Sequence, residues 1–308
     1  MSRNEGRLGL GDGPAQDETP AATTAAVGLG VPGPTDQAPA FNWSVPTEFV
    51  ELPSKGVFYP TGHPLHQQST IEIRYMTAKE EDILTSRSLL KEGVALDRML
   101  QNLLVDKSIN ISSLLVGDKN ALLVAARKTG YGPTYDTNVT CPSCDDTGEF
   151  SFDISNPPVK DIYQNAQELG ISFGDDGNVS ITLPMTKATV TCRLLTGEDE
   201  VRLAKEMQRK SKKKVETTAT DSFRAYITSV NGDESPFTIE SFIHAMPAMD
   251  ARHLRKTYSA IVPDIDLTQT YDCDNCGYET EMEVPLGVDF FLAWVRTTLK
   301  QSTNNYSN

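Results

Sequence analysis

The chain has 308 residues, with 42 acidic and 28 basic side chains and a formal net charge of −14. At roughly 100–200 residues per domain, this length predicts one large domain or two modest ones. The acidic balance argues against a protein that coats nucleic acid, because such proteins need a net basic face to displace counterions from phosphate. The sequence contains neither an apolar run of the roughly 18–20 residues that span a membrane nor the apolar core of a secretory signal. We therefore expect a protein of a reducing cytoplasm with no membrane role.

Residues 1–40 are rich in Ala, Gly, Pro and Thr and contain almost no bulky apolar side chains. Such a segment cannot bury enough surface to offset the chain entropy that folding removes. The composition predicts a disordered N-terminal arm. Ordered structure is expected from about residue 41, where repeated prolines favour extended chain over helix.

The sequence ELPSKGVFYP at residues 51–60, here called the belt segment, combines Pro and Gly with an aromatic pair. One interpretation is a belt that wraps over the protein's own core. The other is an exposed segment that adds a strand to a neighbouring protein. The sequence leaves both open. In the second case the partner-binding residues would be Leu52, Pro53, Lys55, Phe58 and Tyr59.

Residues 41–135 are predicted to form an extended segment, one strand and a helical module. Apolar and polar residues alternate over 71–75, which is typical of a half-buried strand. The pattern at Thr77–Glu80 is a capping box, and Gly93 follows as a helix stop. Three helices are predicted, over about 77–92, about 94–105, and from behind Asp118 to a C-cap at Gly130.

Residues 158–267 are predicted to form a separate subdomain of one hairpin followed by helices. The hairpin covers 178–195, and Cys192 within it is expected to be a small buried apolar residue. A helix is predicted to follow over about 196–214, and then two or three shorter helices within about 221–230, 238–246 and 248–261. A further helix and a polar tail are expected over 287–308.

The cluster RKSKKK at residues 209–214 is the one dense group of basic side chains. Basic residues in the last turn of a helix complement the helix dipole, so a solvated helix end is one interpretation. The other is a docking patch for an acidic partner or a phosphate backbone, with Lys212, Lys213 and Lys214 as its binding residues.

Two CxxC motifs lie far apart, at Cys141 and Cys144 and again at Cys273 and Cys276. A redox CxxC uses the N-terminus of a following helix to stabilise its thiolate. Here Cys144 is followed by two aspartates and then by an alternating, strand-like segment. The missing helix and the nearby negative charge, which raises a thiol pKa, both disfavour redox chemistry.

Each CxxC lies between strand-like segments, over residues 136–157 and 268–286. A zinc ribbon takes two thiolates from each of two hairpin turns and holds one ion tetrahedrally. The cost of closing a long loop grows slowly with its length, so an insertion between the hairpins is tolerated. We therefore predict one structural Zn²⁺ site. Iron also accepts four thiolates. The predicted ligands are Cys141, Cys144, Cys273 and Cys276.

Several segments occur together in a recognisable order, from ELPSKGVFYP through IRYMTAKEEDILTSRSLL and LLVGDKNALLVAARKTGYG to FIHAMPAMDARHLRKTY, PDIDLTQTYDCDNCGYE and VPLGVDFF. Over residues 46–292 the chain resembles the baseplate hub subunit family of T-even-type contractile-tailed bacteriophages. The resemblance implies a non-enzymatic role in building the hub, as a structural component or an assembly chaperone. It implies other baseplate hub and tail proteins as partners, in the host cytoplasm during assembly and, for a retained component, in the virion tail.

Together these observations predict an α+β protein with a helical module and a split four-cysteine zinc ribbon. A large α/β insertion separates the two hairpins of the ribbon, and a disordered arm precedes the module. The sequence contains no nucleophile elbow, phosphate-binding glycine loop or HExxH motif, so we expect no catalytic residues and no small-molecule substrate. The alternative function is a zinc-ribbon module that recruits nucleic acid or a regulatory partner through the basic cluster.

Overall fold

The computed structural model describes residues 44–174, 177–212 and 219–292, without the side chains of 207, 208, 210–212 and 219. The predicted disordered arm lies outside the described residues, as does most of the predicted C-terminal helix and tail. The described part contains nine α-helices, the first residues of a further helix, one 3-10 helix and four small antiparallel sheets. The protein is therefore of mixed α and β type.

A hairpin and four helices enclose the first hydrophobic core. The third of these helices places Met99, Leu100 and Leu103 on one buried face, as its apolar spacing predicts. These elements are β1 (Thr47–Glu51), β2 (Thr70–Arg74), α1 (Ala78–Thr85), α2 (Arg87–Glu92), α3 (Ala95–Leu103) and α4 (Val116–Tyr131).

The single helix predicted over about 77–92 is wrong, because the structure divides it into α1 and α2. The capping box is present: the Glu80 carboxylate accepts hydrogen bonds from the backbone N–H and the hydroxyl of Thr77. Ser86 then adopts an extended backbone, and its N–H donates to the carbonyl of Ile83, which closes α1. Gly93 ends α2 in a left-handed conformation (φ 72°), as predicted.

The start and the end predicted for the third helix, from behind Asp118 to Gly130, are also wrong. α4 begins at Val116 rather than behind Asp118, and it continues through Gly130 to end before Gly132. Asp118 has a different role from the predicted N-cap. Its buried carboxylate accepts hydrogen bonds from the backbone N–H (2.9 Å) and hydroxyl (2.5 Å) of Ser54 and from the Tyr59 hydroxyl (2.8 Å). Asp118 therefore fastens the belt segment to α4, and its burial raises the pKa of its carboxyl group.

We expect Tyr59→Phe to lower the free energy of unfolding by about 1–3 kcal/mol. The Tyr59 hydroxyl donates to Asp118 and accepts from the buried N–H of Leu115 (3.0 Å). Its removal leaves the Leu115 N–H without this acceptor and takes one of three hydrogen-bond donors from the buried Asp118 carboxylate, which keeps those of Ser54. Tyr75→Phe is the matched control, since no hydrogen bond of the Tyr75 hydroxyl occurs within the described residues. Denaturant melts that show equal losses for the two variants would contradict this role of Tyr59.

The first CxxC motif lies in the turn of a long hairpin. β3 (Thr134–Thr140) pairs with β4 (Thr147–Asp153) in an uninterrupted antiparallel register. Tyr135 and Phe152 face the first core, where their rings stack at 6.2 Å. A strand, not a helix, therefore follows Cys144.

The chain then enters a second hydrophobic core. A three-stranded sheet in the order β5-β6-β7 forms its centre, and Cys192 is fully buried there, with its pKa raised by burial to about 12. The elements are α5 (Ile162–Leu169), β5 (Val179–Thr182), β6 (Thr189–Cys192), α6 (Gly197–Lys212), α7 (Ala219–Tyr226), β7 (Ile227–Val230), α8 (Pro236–Ala245) and α9 (Ala248–Ile261).

Only the first part of the helix predicted over 221–230 is helical, in α7. Its second half is β7, which pairs antiparallel with β6 at the edge of the sheet. Ile227, Thr228 and Val230 are β-branched, and they lose less side-chain freedom in a strand than in a helix. Pairing with β6 therefore outweighs the helical spacing of the sequence.

A short antiparallel contact joins the two ends of the 158–267 segment, and we call it the neck. Val159 and Ile265 form a β-bridge, the Lys160 N–H donates to the Asp264 carbonyl (3.0 Å), and the Asp266 N–H donates to the Pro158 carbonyl (2.7 Å). An insertion whose ends meet in this way can leave the flanking strands adjacent. The boundaries of the predicted domains remain a prediction.

After the neck the chain forms a second hairpin, β8 (Thr268–Asp272) and β9 (Glu279–Glu283), around the second CxxC motif. Residues 289–292 are helical, at the start of the predicted C-terminal helix. Phe290 and Phe291 from this turn are buried in the first core. Within the described ranges, no helix has both the length and the apolar character that a bilayer crossing requires.

Candidate metal centre

The two CxxC turns have the same backbone geometry. In the first, the N–H of Asp145 donates to the carbonyl of Cys141 (3.0 Å), and in the second, the N–H of Gly277 donates to the carbonyl of Cys273 (2.8 Å). Asp145 (φ 57°) and Gly277 (φ 66°) both adopt the left-handed conformation. The first turn has the same shape as the second although it lacks the glycine, because Asp tolerates this conformation better than most residues.

The turns bring four cysteine sulfurs together across more than a hundred residues of sequence. All four sulfur atoms lie within 4.8 Å of one another. The sulfur–sulfur distance is 3.7 Å both for Cys141 with Cys276 and for Cys144 with Cys273. Four thiolates about 2.3 Å from a central ion at tetrahedral angles lie about 3.8 Å apart, whereas a disulfide requires about 2.05 Å. The four cysteines are free thiols whose spacing fits a tetrahedral metal ion.

Backbone N–H groups prepare the centre for negative charge. Those of Cys276 and Asn275 hold the pKa of Cys273 down to about 6, because they favour the thiolate. The N–H of Asp146 lowers the pKa of Cys144, but the three other sulfurs together with burial outweigh it and raise that pKa to about 12. A cation at the centre would favour the thiolate form of every sulfur.

Contacts between the two hairpins hold the centre in place. The side chain of Gln269 in β8 donates to the carbonyl of Asp153 (2.6 Å) and accepts from its N–H (3.0 Å) at the end of β4. The rings of Phe150 and Tyr271 meet edge to face at 5.2 Å. Cys141 and Cys273 are buried, Cys144 is half-buried and Cys276 is exposed. The hairpins therefore form one unit with the centre at its surface.

We expect Gly277→Ala to weaken metal binding by about tenfold, because a Cβ in the left-handed region costs roughly 1–2 kcal/mol. No atom lies within 4 Å of that added Cβ, so the loss is conformational rather than steric. Asp145→Gly is the matched variant and should leave the affinity unchanged or improve it. Competition with a chromophoric chelator measures both affinities. Equal affinities for Gly277→Ala and the wild type would contradict the left-handed requirement.

The belt segment is largely part of the protein's own core. Leu52, Pro53, Phe58 and Tyr59 are buried, whereas Lys55 is exposed on a left-handed turn (φ 50°). A partner that meets this segment would contact Lys55 and its neighbours rather than the aromatic pair. Binding by the five predicted residues remains a prediction.

The predicted basic cluster falls at the limit of the described chain. The backbone of Lys212 ends α6, while Lys213 and Lys214 lie outside the described residues. Sequence reasoning did not find two other charged features. One is the buried carboxylate of Asp118, whose partners are more than 50 residues away. The other is a row of exposed cations on α9.

Comparison with models of protein families places the chain in a described family. A family model described as T4 bacteriophage base plate protein matches residues 46–292. The chain belongs to this family. No curated protein and no solved structure matches the chain. The matched range includes both CxxC hairpins, both hydrophobic cores and the belt segment.

Membership of the T4 bacteriophage base plate family makes this chain a structural protein of a phage baseplate. It confirms the predicted family at this level and supports a non-enzymatic role with other baseplate or tail proteins as partners. Four cysteines that could bind a metal lie together within the matched range.

Proposed function

We propose that this baseplate protein acts in building the central hub of the tail baseplate, without enzymatic activity. The family match over residues 46–292 carries the proposal. The hub assignment rests on the ordered sequence segments that resemble hub subunits. The protein would work in the host cytoplasm during assembly, alongside other hub and tail proteins, either as a retained component or as an assembly chaperone.

The four-cysteine centre supports a structural role. Cys141, Cys144, Cys273 and Cys276 would hold one Zn²⁺, which would cross-link the two hairpins and offset part of the negative charge of their thiolates. Four protein ligands leave no open position for a water molecule or a substrate. The ion would thus hold the two hairpins together at one end of the ribbon, and the neck would hold them together where the insertion begins.

Removal of the gene from the phage that encodes it, with an epitope-tagged copy supplied from a plasmid, tests this proposal. We expect the deletion to halt assembly before complete baseplates form and the plasmid copy to restore them. Mass spectrometry of purified virions then separates the two forms of the role: a retained component is present in fixed copy number, and a chaperone is absent. Normal baseplates in the deletion phage would refute the proposal.

A further inference from the structure

An unpaired basic surface lies on α9. Arg252, Arg255 and Lys256 are exposed on one side of this helix, at spacings of three and four residues. Within the described part of the chain, none of the three forms an ion pair. The Arg255 guanidinium lies over the ring of Phe223 at 5.9 Å, a contact that leaves its positive charge uncompensated. Such a surface is unusual in a chain with a net charge of −14.

The β5–β6 turn packs against the N-terminal turn of α9, on its buried side. The buried carboxylate of Asp250 accepts hydrogen bonds from the backbone N–H groups of Met185 (2.8 Å) and Thr186 (2.9 Å), which holds the turn against the first turn of α9. Two methionines are exposed there, Met185 by 58 % and Met249 by 64 %. Lys187 in the same turn is also exposed. We call Arg252, Arg255 and Lys256 the basic face.

The β8–β9 hairpin carries the opposite charge. Residues 257–292 contain eight carboxylates and no Lys, Arg or His. Asp272, Glu279, Glu281 and Glu283 are exposed and lie on one side of the hairpin, and we call them the acidic face. Asp272 and Glu279 are direct cross-strand partners. Like charges in this position destabilise a hairpin unless a cationic surface covers them.

We propose that the basic face of one copy of this chain binds the acidic face of a second copy. The two faces are complementary in charge, and the exposed Met249, three residues before Arg252 on the same side of α9, supplies an adaptable apolar contact at the edge of the basic face. Among the described residues no ion pair joins the two faces within one copy, so both are free for intermolecular contact. This inference goes beyond the proposed hub function and does not rest on it.

The two faces are different surfaces, so the contact is head-to-tail. A head-to-tail contact produces a ring if its rotation closes and a filament if it does not. The faces also belong to different cores, since α9 packs in the second core and β8 in the first. Each copy can therefore offer one face to each of two neighbours.

Sedimentation velocity of the full metal-loaded chain tests the contact. We expect oligomers in about 20 mM salt and at least tenfold weaker association in about 500 mM salt, where the Debye length is only about 4 Å. The variants R252E/K256E and E279K/E281K should each be monomeric at low salt. The control D82K/E92K changes the net charge as E279K/E281K does, at exposed positions in α1 and α2, and should associate like the wild type.

Mixing the two variants separates a lost contact from a failure to fold. R252E/K256E retains the acidic face, and E279K/E281K retains the basic face, so one native contact and one charge-swapped contact become available. We expect the equimolar mixture to recover oligomers. A wild-type chain that remains monomeric at low salt, variants that associate individually, or a mixture that stays monomeric would each overturn the proposal.

Discussion

Replacing Cys273 by Ser is expected to release the bound metal and to unfold both ribbon hairpins together. Cys273 is buried, and its sulfur lies 3.7 Å from that of Cys144 in the opposite hairpin. The substitution therefore removes one of the four ligands of the ion that links the two hairpins. Structural zinc in small sites contributes about 10–16 kcal/mol of binding free energy at neutral pH. The direct links between the hairpins include the Gln269–Asp153 pair and one aromatic contact. These contacts contribute far less free energy than the binding of the metal.

Elemental analysis and hydrogen exchange measure this loss. The wild type should contain one zinc per chain, and Cys273→Ser should contain none. Hydrogen exchange should show that residues 134–153 and 268–283 lose protection in the variant, whereas the β5–β7 sheet keeps it, because that sheet packs in the second core. Treatment of the wild type with a strong chelator should reproduce the same pattern.

Cys192→Ala is the matched control for the loss of a cysteine. Cys192 is fully buried in the second core, so its truncation costs packing energy but no metal ligand. Its zinc content should stay at one per chain. A wild-type protein without metal, with four freely titrating thiols or with disulfides, would contradict the four-cysteine centre and favour thiol chemistry.

Local sequence patterns predicted those features that short-range physics determines. The CxxC spacing placed four cysteines in two hairpin turns, and the structure brings their sulfurs together. The capping box at Thr77 and the left-handed stop at Gly93 were also predicted correctly. The residues that specify each CxxC turn, the capping box and the helix stop lie within four positions of one another, so no distant contact is needed for these local conformations. The meeting of the two turns does depend on contacts between distant residues.

The features that the sequence did not predict depend on distant contacts. Asp118 resembles an N-cap in sequence, but it accepts hydrogen bonds from Ser54 and Tyr59, whose positions only the fold determines. β7 has the spacing of a helix and becomes a strand because β6 offers it a partner. The buried Asp250 of α9 holds the β5–β6 turn, which lies more than sixty residues earlier in the chain. Sequence periodicity contains no information about such pairings.

Gly117→Ala is expected to destabilise the protein by about 3 kcal/mol or more. A Cβ at Gly117 would lie 1.8 Å from the carbonyl oxygen of Pro263 and 2.9 Å from the Cα of Asp264. Both are backbone atoms, in the neck or directly before it, so no side-chain rotation can relieve the clash. Asn120 in α4 also donates to the Asp264 side chain (3.1 Å), which holds the neck against the helix.

Helix propensity alone predicts that Gly117→Ala stabilises the protein. Gly117 lies in the first turn of α4, and alanine favours a helix interior over glycine by about 1 kcal/mol. The steric cost exceeds this gain, because the pairing of residues 158–160 with 264–266 prevents the neck from moving away freely. Gly148→Ala is the control: nothing lies within 4 Å of the added Cβ, and the change should stay within about 0.5 kcal/mol. Denaturant melts that find Gly117→Ala as stable as the wild type would show that the neck does not pack on α4 in solution.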